Sequence, residues 1–97
     1  MGKDYRVIND REIAIHGLLF KMTCSACPEQ YDVFDGRGRQ AGYVRLRHGH
    51  MTVYYPNVGG RLVYEAEPNG DGLFSDEDER EFHLTKAAEA IREATHD

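Results

Sequence analysis

The stretch YVRLRHGHMTVYY, Tyr43 to Tyr55, decides the fold. His48–Gly49 is a two-residue connection with glycine second, resembling the Asn-Gly pattern of a type I′ hairpin turn. A hairpin closed there pairs Arg47 with His50, Leu46 with Met51, Arg45 with Thr52, Val44 with Val53 and Tyr43 with Tyr54. Side chains alternate along a strand, so one face collects Val44, Leu46, Met51 and Val53, apolar on both strands and therefore core. The opposite face collects Tyr43, Arg45, Arg47, His50, Thr52 and Tyr54.

Further strands flank this hairpin. QYDVF and QAGYVRLR are β-rich runs joined by the polar, glycine-rich Asp35-Gly36-Arg37-Gly38, whose register the sequence leaves open. PNVGG makes the next turn and RLVYEAE a further strand. Towards the N-terminus, Ile13 and Ile15 alternate with Ala14 and His16. Leu18, Phe20 and Met22 alternate with Leu19 and Lys21. That pattern favours one or two strands broken near Gly17, with a short helix as the competing reading.

The period changes after residue 74. SDEDEREFHLTKAAEAIREA begins with Ser75 as N-cap, Asp78 three residues on and acids in the first turn, where the helix dipole favours them. Leu84, Ala87, Ala88 and Ile91 fall on one helical face. The expected architecture is α+β: an antiparallel sheet of four to five strands in meander order with one C-terminal helix packed on one face. All 97 residues form a single domain.

Composition narrows the function classes. Hydrophobic residues at 40% indicate a globular chain, and 97 residues leave no room for separate cofactor and substrate domains. No apolar run approaches a membrane span and no signal peptide is apparent, so a cytoplasmic protein without membrane partners is expected. The net charge of −5 conceals an asymmetry. Residues 1–64 carry nine Lys or Arg against six acids, and residues 65–97 carry three against eleven.

Four chemistries compete for these residues. Cys24 and Cys27, with His48 and His50, make a Cys2His2 set for zinc, but the hairpin places the two imidazoles in a turn and on the outer face without convergence. EPNGDGLFSDED can be laid on a calcium loop with Asn69 and Asp71 as ligands and Asp76 nearby. Against this, Glu67 opens it, Asp78 closes it and a strand precedes it; a glycine turn entering a capped helix explains the same residues. Tyr43, Tyr54, Arg45, Arg47 and His50, with Arg37 and Arg39 beside them, form a candidate single-stranded nucleic-acid surface that the acidic C-terminal third opposes. Enzyme chemistry ranks last. No nucleophile elbow, phosphate loop or HExxH occurs, and His16, His83, Glu29 and Asp32 are scattered. No cofactor is expected.

CPEQYDVF (Cys27–Phe34), GYVRLRHG (Gly42–Gly49), Gly59-Gly60 and Gly70-Asp71-Gly72 together resemble a group of small accessory proteins of bacterial phages and prophages, over about residues 24–94. That resemblance implies a non-catalytic role in binding a host or phage macromolecule, in some cases blocking a host system. It carries over no site residues. The reading that follows is a small cytoplasmic protein that binds a protein partner through Tyr43, Arg45, Arg47, His50 and Tyr54. Tyrosine and arginine combine large contact area with hydrogen-bonding ends, as interfaces require. A metal-binding or nucleic-acid-binding module is the alternative.

Overall fold

The structure is a computed structural model that describes residues 4–24 and 29–95. Seven strands form one antiparallel sheet in strict meander order: β1 (Tyr5–Val7), β2 (Glu12–Ile15), β3 (Leu18–Cys24), β4 (Glu29–Phe34), β5 (Gln40–Arg47), β6 (His50–Tyr55) and β7 (Arg61–Ala66). One helix, α1 (Glu77–Thr95), follows. The α+β meander with a C-terminal helix is as expected, but the sheet has seven strands rather than four to five. The N-terminal segment accounts for the excess. The alternation on either side of Gly17 is two strands, β2 and β3, and the three-residue β1, too short for alternation to declare itself, is held by its pairing with β2.

Turn chemistry sets the registers. His48 and Gly49 have φ of 54° and 72°, both in the left-handed region, so the turn is the one that matches strand twist. All five expected pairs form, from Tyr43 with Tyr54 to Arg47 with His50. His16 and Gly17, at 52° and 80°, repeat the device between β2 and β3. The register left open around residues 35–39 is decided by Asp35, whose carboxylate accepts the N–H groups of Arg37 and Arg39. Gly38 supplies the positive φ, and Val33 then pairs with Gly42 and Phe34 with Gln40 across a register shift.

One face of the sheet is the core. Ile13, Ile15, Phe20, Tyr31, Val33, Val44, Leu46, Met51 and Val53 are buried there against Leu84, Ala87, Ala88 and Ile91 of α1. Each large apolar side chain contributes about 1.5–3 kcal/mol on full burial. The small helix residues permit close approach, and Gly42 completes the fit: a Cβ there would lie 2.5 Å from Ile91 Cδ1. The helix start lies one residue beyond the expected cap. Asp76 Oδ1 accepts the Glu79 N–H (2.8 Å), while Glu79 Oε1 reaches back to the Ser75 N–H (2.7 Å). Asp76 and Glu79 therefore hold the roles assigned to Ser75 and Asp78.

Candidate functional site: the open face of the sheet

Because α1 covers one face, the other side of the sheet is open among the described residues. The registers place side chains on it in rows. Arg6, Ala14, Leu19, Phe34 and Gln40 form one row, each opposite the next on successive strands. Glu12, Lys21, Asp32, Tyr43, Tyr54 and Leu62 form a second. Arg45, Thr52 and Glu65 continue on β5 to β7, with Arg47 opposite His50 at the hairpin tip. All five residues assigned to partner binding, Tyr43, Arg45, Arg47, His50 and Tyr54, thus share this face. Residues 12–22 do not cover it, since they extend the sheet edgewise as β2 and β3.

The polar groups divide unequally. Every carboxylate on the face has a partner: Glu12 takes Lys21 Nζ (3.8 Å) and Asn9 Nδ2 (2.8 Å), Asp32 takes Gln40 Nε2 (3.1 Å), and Glu65 takes His50 Nε2 (2.9 Å). Arg6, Arg45 and Arg47 form no hydrogen bond or ion pair among the described residues. The Tyr43 hydroxyl donates to Gln30, and partial burial raises its pKa against the opposing pull of Arg45. Lys21 Nζ lies 5.7 Å from the centre of the Phe34 ring. Leu19, Lys21 and Phe34 were not placed on this face from the sequence, because only the β3–β4 and β4–β5 registers join them to the hairpin. The signal that finds them is the alternation of Leu19 and Lys21 with core residues.

The calcium candidates do not assemble. Instead of turning carbonyls inward on a cation, loop 67–76 turns N–H groups onto carboxylates. Asn69 N (2.6 Å), Gly70 N (3.2 Å) and Ser75 N (2.7 Å) donate to Glu79, and Phe74 N (3.2 Å) donates to Glu29. Desolvation opposes ionisation of Glu79, but these N–H groups outweigh it and pull its carboxyl down to about 2. Asp71 spends its carbonyl on the Gly49 N–H (2.6 Å), and Asp76 caps the helix. Among the described residues, no three His, Cys, Asp or Glu converge on a metal-sized space. For zinc, Cys24 ends β3 and Cys27 lies outside the described residues.

The scattered acid–base residues stay apart. Glu29 and Asp32 lie on opposite faces of β4. Buried Glu29 meets Arg80, while Asp32 meets Gln40 on the open face. His83 stacks on Phe74 with ring centres 5.9 Å apart, and its Nδ1 lies 3.2 Å from the Tyr64 hydroxyl. His16 sits beside a groove of about 690 Å³ between the β2–β3 turn and α1, where its ring contacts Asp4 (3.2 Å) and Glu89 (3.8 Å). No described helix is long and apolar enough to cross a membrane.

These two residues with depressed pKa values make acid stability a test of the packing. Desolvation lowers the His83 pKa below 6.5, so the fold favours neutral imidazole, and that contribution is lost as pH falls below 6.5. Glu79 contributes above its ordinary 4.5 and loses that contribution as pH falls towards 2. Urea unfolding of wild type should show two successive losses on acidification. Glu79→Gln should flatten the lower and cost about 0.5–2 kcal/mol at neutral pH, as loss of a cap does. His83→Phe should flatten the upper.

The fold and the face define a class: a two-layer α+β protein with a seven-stranded meander, closed by a helix on one side and presenting an amphipathic, arginine-bearing sheet on the other. Comparison with protein families, curated proteins and solved structures gives no match.

Proposed function

We propose that the chain is a non-catalytic binding protein of the phage or prophage accessory type. It acts stoichiometrically on a protein partner through the open face, with Tyr43, Arg45, Arg47, His50 and Tyr54 as the centre of contact. The observation that carries this reading is the cross-strand arrangement of Tyr43 and Tyr54 beside Arg45, on a face that no described element covers and with the guanidinium unpaired among the described residues. Tyrosine and arginine supply a disproportionate share of interface energy, and an unpaired arginine needs no internal ion pair broken before binding.

Single-stranded nucleic acid is the competing occupant. The sheet separates this face from the acidic helix, which favours it, but Glu12, Asp32 and Glu65 lie on the face itself, with Asp32 directly opposite Tyr43. A mixed-sign surface fits a protein better than a phosphate backbone.

The test is capture of a partner identified from host lysate with the wild-type chain, then measured with variants. Arg45→Ala and Tyr54→Ala should leave the melting temperature nearly unchanged and weaken binding about tenfold or more, equivalent to about 1.4 kcal/mol. Glu89→Lys, on the helix, should change it far less. Undiminished binding by both sheet variants, with loss in the helix variant, would move the site to the acidic side.

A further inference from the structure

The open face also specifies what kind of protein surface fits it. On the proposed reading that this face is the docking site, its apolar members form a stripe of one residue per strand that steps from one row to the next between β4 and β5: Ala14, Leu19 and Phe34 on β2 to β4, then Tyr43, Tyr54 and Leu62 on β5 to β7. Leu62 is 43% exposed and the other five are half-buried. At about 4.8 Å per strand the stripe runs roughly 24 Å, the breadth of a standard interface patch of about 800 Å² per partner. The five residues singled out from the sequence cover only its β5–β6 part.

The flanking charges have a consistent bias. All three carboxylates on the face have a partner, whereas Arg6, Arg45 and Arg47 have none among the described residues; four cations (Arg6, Lys21, Arg45 and Arg47) against three carboxylates (Glu12, Asp32 and Glu65) leave this mixed-sign face one positive charge in excess, carried by guanidiniums without a partner there. Arg6 lies at the β1 edge of the sheet, and Arg45 and Arg47 lie within it on β5 beside Tyr43. We propose that the partner presents an acidic surface with apolar side chains between its carboxylates, and that its footprint crosses the sheet onto Leu19 and Phe34. An apolar ridge fills the stripe and desolvates it, and the carboxylates meet guanidiniums that have no prior partner among the described residues.

The probes are a blocked twelve-residue peptide of Glu, Leu and Phe, its counterpart with Lys at every Glu, and a twelve-nucleotide oligothymidylate. Each is titrated into the isotopically labelled full chain and followed by amide shifts. The acidic peptide should saturate, with its largest shifts at Leu19, Phe34, Tyr43, Arg45 and Tyr54, and bind at least tenfold more tightly than the lysine peptide. Arg45→Glu should reverse that preference, and Leu19→Ser should weaken the acidic peptide while unfolding cooperatively. If both peptides bind alike, or Leu19 and Phe34 stay silent while Tyr43 and Tyr54 respond, the inference fails and the docking face survives. Shifts confined to α1 would overturn the docking face itself. Tighter binding of the oligonucleotide would assign the face to nucleic acid, and concentration-dependent self-association lost in Arg45→Glu would assign it to a second copy; either overturns the proposal.

Discussion

Arg80→Ala should cost about 3–5 kcal/mol in urea unfolding, the range expected when one partner of a buried ion pair is removed. Glu29 is 1% exposed, so its charge is tolerable only because every lone pair is addressed. Arg80 donates Nε to Oε2 (2.7 Å) and Nη2 to Oε1 (3.2 Å), Tyr31 donates its hydroxyl to Oε2 (2.5 Å), and the Phe74 N–H donates to Oε1 (3.2 Å). Burial and the Glu29 contact push the Tyr31 phenol well above its usual range. The same contact raises the pKa of the Arg80 guanidinium, so both partners stay in their donor forms. Without Arg80 the carboxylate keeps its neutral hydrogen bonds but loses its countercharge. The double variant Glu29→Gln/Arg80→Ala should recover part of the loss, because a neutral amide is less costly to bury than an unpaired charge. A single variant as stable as wild type would show that the pair contributes little.

The second large effect is Leu46→Ala, about 2–5 kcal/mol, against a loss of less than about 1 kcal/mol for its neighbour Arg45→Ala. Leu46 is fully buried opposite Met51 and within the cluster covered by α1. Truncation there leaves a cavity inside a close-packed cluster. Arg45 points to the open face one residue away. The difference between the two measures the alternation itself, and equal losses would mean that the strand is not oriented as described.

Much of the site was legible because its determinants are local. A His-Gly pair takes two left-handed φ values cheaply only if the second residue is glycine, and the five cross-strand pairs of the hairpin follow from that turn. The five proposed contact residues were therefore placed on one face from sequence alone. The first strand was not legible, because its three residues carry almost no periodic signal and gain their order from a neighbour already in place, whereas the alternation around Gly17 pointed to strands without settling whether there was one or two. The helix cap was misplaced by one residue for a related reason. Ser75 and Asp76 both suit the position, and the loop N–H groups gathered on Glu79 decide between them.

By itself the sequence determined the β-rich body, the C-terminal helix, the central hairpin with its register, and the division of apolar from polar faces. Each depends on residues within a turn or a strand of one another, so the chain order already contains the information. Only the tertiary structure decided the number of strands, the burial of Glu29 beneath Arg80 across 51 residues of chain, and the gathering of loop amides on Glu79. It also decided which charged groups on the open face have partners: Glu12, Asp32 and Glu65 found them on adjacent strands or turns, and among the described residues Arg6, Arg45 and Arg47 did not. Pairing of charges depends on registers and rotamers that no local pattern specifies, because a side chain's nearest opposite charge is set by which strands lie beside it.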